Sequence, residues 1–143
     1  MPPKKTKKIN VRSQGSSSEI KRLGVEIPKV SFDFMYYQDD KENFSIRGRD
    51  VRYLEVLLRR LRDLSKLTVQ EIVNNRSKSL RCHPIDWQDT TEPNGFGIPN
   101  EDQVVVTAYQ FQISANEHGR VHGFFRDNVF YIVWLDPDHN LYR

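Results

Sequence analysis

The chain has 143 residues, 29% of them charged and 37% hydrophobic, and a formal net charge of +3. That length suits one domain with a real core and leaves no room for a second. No apolar run approaches the length of a membrane span, and no apolar leader follows the basic start, so a membrane protein is excluded and a cytoplasmic home is expected.

Cys82 is the only cysteine, which rules out an internal disulfide. It adjoins His83 with no second cysteine at zinc-finger spacing, so neither a metal nor any other cofactor is expected. The charge is unevenly placed. Residues 1–24 carry seven basic side chains against Glu19, whereas the rest carries fifteen basic and eighteen acidic ones. The body is therefore acidic, and the sequence pI near 9.0 describes the tail.

Residues 1–24 are rich in Lys, Ser and Gly and read as a disordered basic arm, either an electrostatic tether to RNA or a solubility tail. Residues 25–143 form the single domain. Within it, 29–37 alternates Val30, Phe32, Phe34 and Tyr36 against Ser31, Asp33 and Met35, the period of a half-buried strand. From about Gly48 the period lengthens. Val51, Leu54, Leu57/Leu58, Leu61 and Leu64 make an amphipathic helix stripe, expected to cover the sheet through Leu54, Leu58 and Leu61. Thr68 and Glu71 have capping-box spacing, so a short second helix starts at Thr68. Residues 47–83 hold ten basic and four acidic side chains, which gives a polarised surface or a merely solvated helix face.

The acidic stretch 82–103 reads as a long loop, and such loops are usually functional or mobile. A strand follows over 104–114, and a turn at Asn116–Gly119 leads into a hairpin. Asp127-Asn128 is a two-residue turn calling for positive φ at both positions. It sets Arg126 opposite Val129, Phe124 opposite Tyr131, His122 opposite Val133 and Arg120 opposite Leu135. Period two then gathers Val121, Phe125, Phe130, Ile132 and Trp134 beneath the helices. The other face, expected to be open, carries Arg120, His122, Phe124, Arg126 and Tyr131. The element order predicts an α+β fold, an antiparallel sheet of about four strands with two helices on one face.

Glu117-His118-Gly119-Arg120-Val121-His122 resembles the basic sheet segment of the RelE/YoeB/ParE toxin superfamily. Asp138-His139-Asn140-Leu141-Tyr142 is similar to the His-then-Tyr ending of several of its ribonucleases. The resemblance spans roughly 29–143 and rests mainly on the order β-α-α-β-β-β. It implies a toxin-type hydrolase that cuts RNA, as many members do on the ribosome, and is held inactive by an antitoxin protein. The chain departs from the family in its length, its acidic body and the Asp136-Pro137-Asp138 stretch before His139.

Metal-independent RNA cleavage needs a base for the 2′-hydroxyl, an acid for the leaving 5′-oxygen and cations for the phosphate. His122 and His139 are the candidates for proton transfer, Arg120 for charge and Tyr142 for a hydrogen bond. Arg126, Tyr131, Phe124 and His118 are the candidates for holding substrate. The alternative is an interaction module that uses the same face for a protein or nucleic acid and breaks no bond, with Arg120 and Arg126 holding a partner's acidic groups; on the plainer reading the two arginines only solubilise that face.

Overall fold

The protein is described by a computed structural model covering residues 26–142. The arm at 1–24 lies outside the described residues. Five strands form one sheet: β1 (Ser31–Asp33), β2 (His83–Pro84), β3 (Ala108–Gln112), β4 (Arg120–Arg126) and β5 (Val129–Asp136). Their order is β1-β5-β4-β3-β2. Three helices accompany them: α1 (Val51–Leu64), α2 (Val69–Val73) and the single turn α3 (Glu101–Val104). The α+β class and the two expected helices are there, and two differences concern edges. β1 pairs with β5 in parallel, so the sheet is mixed. β2, a two-residue strand on the other edge, tolerates Pro84 because an edge position does not need its N–H.

The β4–β5 hairpin sets the faces. Arg126 pairs with Val129 and Phe124 with Tyr131, as the two-residue turn requires, although only Asp127 takes positive φ, 55°. Beyond Gly123 the register slips. Gly123 faces Ile132 but His122 faces Trp134, so Val133 is the extra residue of a β-bulge and Arg120 comes opposite Asp136. Glycine makes the bulge possible. A Cβ at position 123 would lie 2.0 Å from the Tyr131 carbonyl oxygen. Gln38 secures the bulge, its backbone N–H donating to Val133 O at 3.0 Å while its Oε1 accepts from Trp134 Nε1 at 2.8 Å.

The slip carries the side chains from Trp134 to Asp136 to the opposite faces. Leu135 joins Val121, Phe130 and Ile132 under the helices, and Trp134 moves to the side of His122 and Phe124. Helix α1 contributes Tyr53, Val56, Leu57, Leu61 and Leu64 to the first core, whereas Leu54 and Leu58 of the expected stripe are exposed. Its N-cap is Asp50, accepting from Tyr53 N at 3.1 Å. The capping box at Thr68 and Glu71 is formed in both directions.

The far face of the sheet is not open. The 3-10 turn Glu42–Phe44 lays Phe44 on Trp134, with ring centroids 4.4 Å apart and planes 15° apart. Ile85, Phe96 and Ile98 from the 82–103 loop close the rest. The Glu101 carboxylate holds that loop by accepting from Phe96, Gly97 and Ile98 N–H groups. This tie draws 101–104 into the loop layer and shortens the expected 104–114 strand. β1 is shorter than its alternation suggested, because Asp33 Oδ1 accepts from Met35 N and turns the chain away. Among the described residues no helix is long and apolar enough to cross a membrane.

Candidate functional site

With both faces covered, the concavity that collects chemistry-bearing residues lies at one end of the sheet. It is a pocket of about 230 Å³ lined by Gln110, Arg120, Asp136, His139, Leu141 and Tyr142. β3 supplies Gln110, the first residue of β4 is Arg120, the last of β5 is Asp136, and the segment after β5 supplies the others. Gly119 lets that segment come close. A Cβ there would lie 1.9 Å from Asp136 O, and its φ of 73° suits glycine.

Asp136 is the hub. Its Oδ1 accepts from Asn140 N at 2.7 Å, and its Oδ2 accepts from Leu141 N at 3.0 Å and from His122 Nε2 at 3.0 Å. Burial alone would raise its pKa, but the His122 bond and these two backbone donors outweigh it and hold the carboxyl below its ordinary value. His122 is fully buried. Burial drives its pKa down against the pull of Asp136, so the ring is neutral, donates from Nε2, and leaves Nδ1 without a hydrogen-bond partner among the described residues. A carboxylate with its lone pairs committed to donors positions the chain and is not free for proton transfer.

The C-terminal segment is fixed from several sides. Thr91 N donates to Leu141 O at 2.7 Å, and Asn140 Nδ2 donates to Asn43 O at 2.9 Å. Tyr142 Oη accepts from Asp86 N at 2.9 Å, and Arg49 pairs with Asp138. His139 stands exposed at the pocket with positive φ, 57°. Arg120 is half-buried, and no ion pair joins it to another described residue. Burial and then the nearby charge of Arg81 lower its pKa against the pull of Asp136 and Tyr142, yet a guanidinium stays charged.

Of the residues expected to do chemistry, Arg120, His139 and Tyr142 thus line one pocket, and His122 sits behind its wall, tied to Asp136. The expected binding residues do not join them. Phe124 is core, with Tyr131 stacked on it at 5.2 Å and 19°. Arg126 is exposed at the hairpin tip, six residues along β4 and so about 20 Å from Arg120 at the usual rise. His118 lies in the turn, its Nδ1 3.2 Å from Ser114 Oγ and its ring 6.1 Å from Tyr53. The face expected to bind RNA is therefore a second core, and reading charge as exposure was the error.

Gln110 was not among the expected site residues, and the sequence marked Asp136 only as acidic charge before His139 and Arg81 only as part of the basic cluster. Gln110 had a signal, being one of two glutamines on the same side of β3. Its companion Gln112 is spent on structure, donating to Lys78 O at 2.8 Å. One member of the basic cluster at 47–83 is structural too, with Arg60 donating to Ile113 O and Ser79 O, while the other nine basic side chains are exposed. Cys82 is buried and its thiol is pushed up to about 12, which removes it as a nucleophile. Among the described residues no three His, Cys, Asp or Glu side chains gather to hold a metal ion. No family model, curated protein or solved structure matches the chain.

Proposed function

We propose that the chain is a RelE-like endoribonuclease whose reacting phosphate sits in the Arg120–His139–Tyr142 pocket and not on the sheet face. The observation that carries this reading is the pocket itself. A half-buried guanidinium that no ion pair joins to another described residue, an exposed imidazole and a phenol come together there at the open end of a hairpin. Arg120, with the field of Arg81 added, is suited to the charge that builds on a phosphate. His139 takes or returns the proton. Tyr142 keeps its own O–H free to donate while accepting from Asp86 N. Asp136 and His122 position these groups, so the proton work assigned to His122 in the sequence reading passes to the pocket.

On this reading the protein works in the cytoplasm, RNA is the substrate, free or presented on the ribosome, and an antitoxin protein covers an exposed apolar surface. Val51 and Leu58 on α1, 70% and 64% exposed, offer such a surface. A second reading has one observation in its favour: among the described residues, His139 is the only histidine lining the pocket. A module that binds RNA without cutting it would need no second proton carrier.

Purified protein and labelled RNA in chelator separate the two. The ribonuclease gives fragments ending in 2′,3′-cyclic phosphate. His139→Ala slows the cleavage about a hundredfold or more, the usual scale for losing a general acid or base. Arg120→Ala slows it while the protein stays folded. Full activity in His139→Ala removes the assignment, and RNA retained without cleavage by wild type supports the module.

A further inference from the structure

A second groove, of about 370 Å³, opens towards the end of the sheet opposite the Arg120 pocket. Its lining includes Trp87, Val105, Val106 and Ala108, with Glu101 and Asp102 beside them. Val106 is 94% exposed. A lone exposed valine needs no explanation, but one set in a groove with Trp87 and Val105 marks an apolar surface that a partner can cover.

The surroundings of the groove are one-sided in charge. Between Arg81 and Arg120 the chain has six acidic side chains and no Lys or Arg. Glu101 is committed to the Phe96, Gly97 and Ile98 N–H groups, and Glu92 pairs with Lys41 at 3.2 Å. Asp86, Asp89 and Asp102 are exposed, and no ion pair joins them to another described residue. Arg126 at the hairpin tip offsets one of the three, which leaves the acidic sign in excess. An occupant of matching chemistry is apolar with basic flanks.

The chain carries such a segment outside the described residues. In Lys7-Lys8-Ile9-Asn10-Val11-Arg12 an extended backbone puts Ile9 and Val11 on one side, among three basic residues. The segment is tethered at the right end of the sheet. Lys29 O accepts from Asn128 Nδ2 at the hairpin tip, just before β1 begins. Ala108 pairs with Phe124, two residues from Arg126, so Val106 lies towards the same tip. Three strand spacings, roughly 15 Å, separate β1 from β3. Residues 13–28 join the segment to Lys29, and sixteen residues reach about 20–24 Å as a coil. A reach that matches the span gives a local concentration in the millimolar range.

We propose that residues 7–12 dock in this groove of their own chain. Ile9 and Val11 meet Trp87, Val105 and Val106, and the basic side chains face Asp86, Asp89 and Asp102. At a local concentration of about 1 mM, an intrinsic Kd of about 1 mM keeps the segment docked about half the time. Docking and RNA tethering then compete for Lys7, Lys8 and Arg12. The groove lies away from the Arg120 pocket, so the docking stands whether or not RNA is cut there.

The test uses the full chain with a nitroxide label on Asn10→Cys, since Cys82 is buried and leaves the label a single site. Paramagnetic broadening is read by NMR at each backbone amide and at the Trp87 indole. Val105, Val106 and Trp87 should lose about half of their signal or more, while α1 on the other side of the sheet keeps its own. The loss should vanish in Val106→Lys, where exposure spares the fold, and in Ile9→Ser combined with Val11→Ser. Salt at about 1 M should weaken it, because the screening length falls to about 3 Å. Broadening that is absent, centred elsewhere, or unchanged by the variants or by salt overturns the proposal. Broadening of an isotope-labelled chain by a separate spin-labelled copy makes a second molecule the donor of the arm and overturns docking within one chain.

Discussion

Replacing Asp136 by alanine withdraws one carboxylate from three donors: His122 Nε2, Asn140 N and Leu141 N. Asp136 is 1% exposed and His122 0%, so water cannot readily take over at the ring. Each stranded buried donor costs about 1–3 kcal/mol. Asn140 is at the surface, where solvent recovers part of its share. The net loss is expected at about 3–5 kcal/mol, the scale for breaking a buried pair from one side. A domain of this size has roughly 5–15 kcal/mol in total. Urea unfolding followed by tryptophan fluorescence should show the midpoint falling by about 2 M at an ordinary slope of about 2 kcal/mol per M.

The pH dependence adds a second readout. Native His122 and Asp136 both titrate below their ordinary values of 6.5 and 3.8, so in each interval the unfolded chain binds the extra proton. Stability therefore falls as pH drops, first below about 6.5 and again below about 4. The alanine variant should keep the first fall and lose the second. A variant within 0.5 kcal/mol of wild type at pH 7, with an unchanged acid limb, would refute the view of Asp136 as the hub.

Three further outcomes follow from the same geometry. Gly123→Ala drives a Cβ to 2.0 Å from Tyr131 O; it should cost at least 1–3 kcal/mol in thermal or urea unfolding, and a neutral effect would mean that the bulge is not built as described. Cys82 should react with a thiol reagent only after unfolding, since its thiol is buried and pushed up to about 12; labelling at the rate of a free thiol in native buffer would contradict its place in the core. Arg126→Ala should change stability by no more than about 0.5 kcal/mol and leave RNA cleavage unaltered, because it lies at the far end of β4; a tenfold loss of rate would restore the hairpin tip as part of the site.

The sequence was legible where chemistry is local. The capping box needs only Thr68 and Glu71, and the hairpin turn needs only the two residues that break the alternation, so both were readable from spacing. The helix stripe was half readable. Periodicity finds an apolar side, but Tyr53 and Val56 rather than Leu54 and Leu58 are turned inward, a rotation that only the partner surface decides. Burial of His122 was not readable, because Phe44, whose ring meets it at 6.0 Å, comes from a segment without period. A loop rich in proline and glycine looks mobile from composition, and here it supplies Ile85, Phe96 and Ile98 to a second core.

The feature that escaped the alternation rule is also the one that makes the site. Without the extra residue at Val133, Leu135 would face Arg120 and Asp136 would turn towards the helices, with no partner for His122. One added residue moves Asp136 to the side of His122 and Arg120 and brings its carboxylate within reach of the Asn140 and Leu141 N–H groups. Those bonds hold His139 and Tyr142 at the mouth of the pocket. Gln38 holds the bulge and Gly123 admits it, so a glycine in mid-strand and a glutamine about a hundred residues away determine whether three polar side chains meet. Bulges are over-represented beside active sites, and the pocket here exists because β5 is one residue longer than the strand it pairs with.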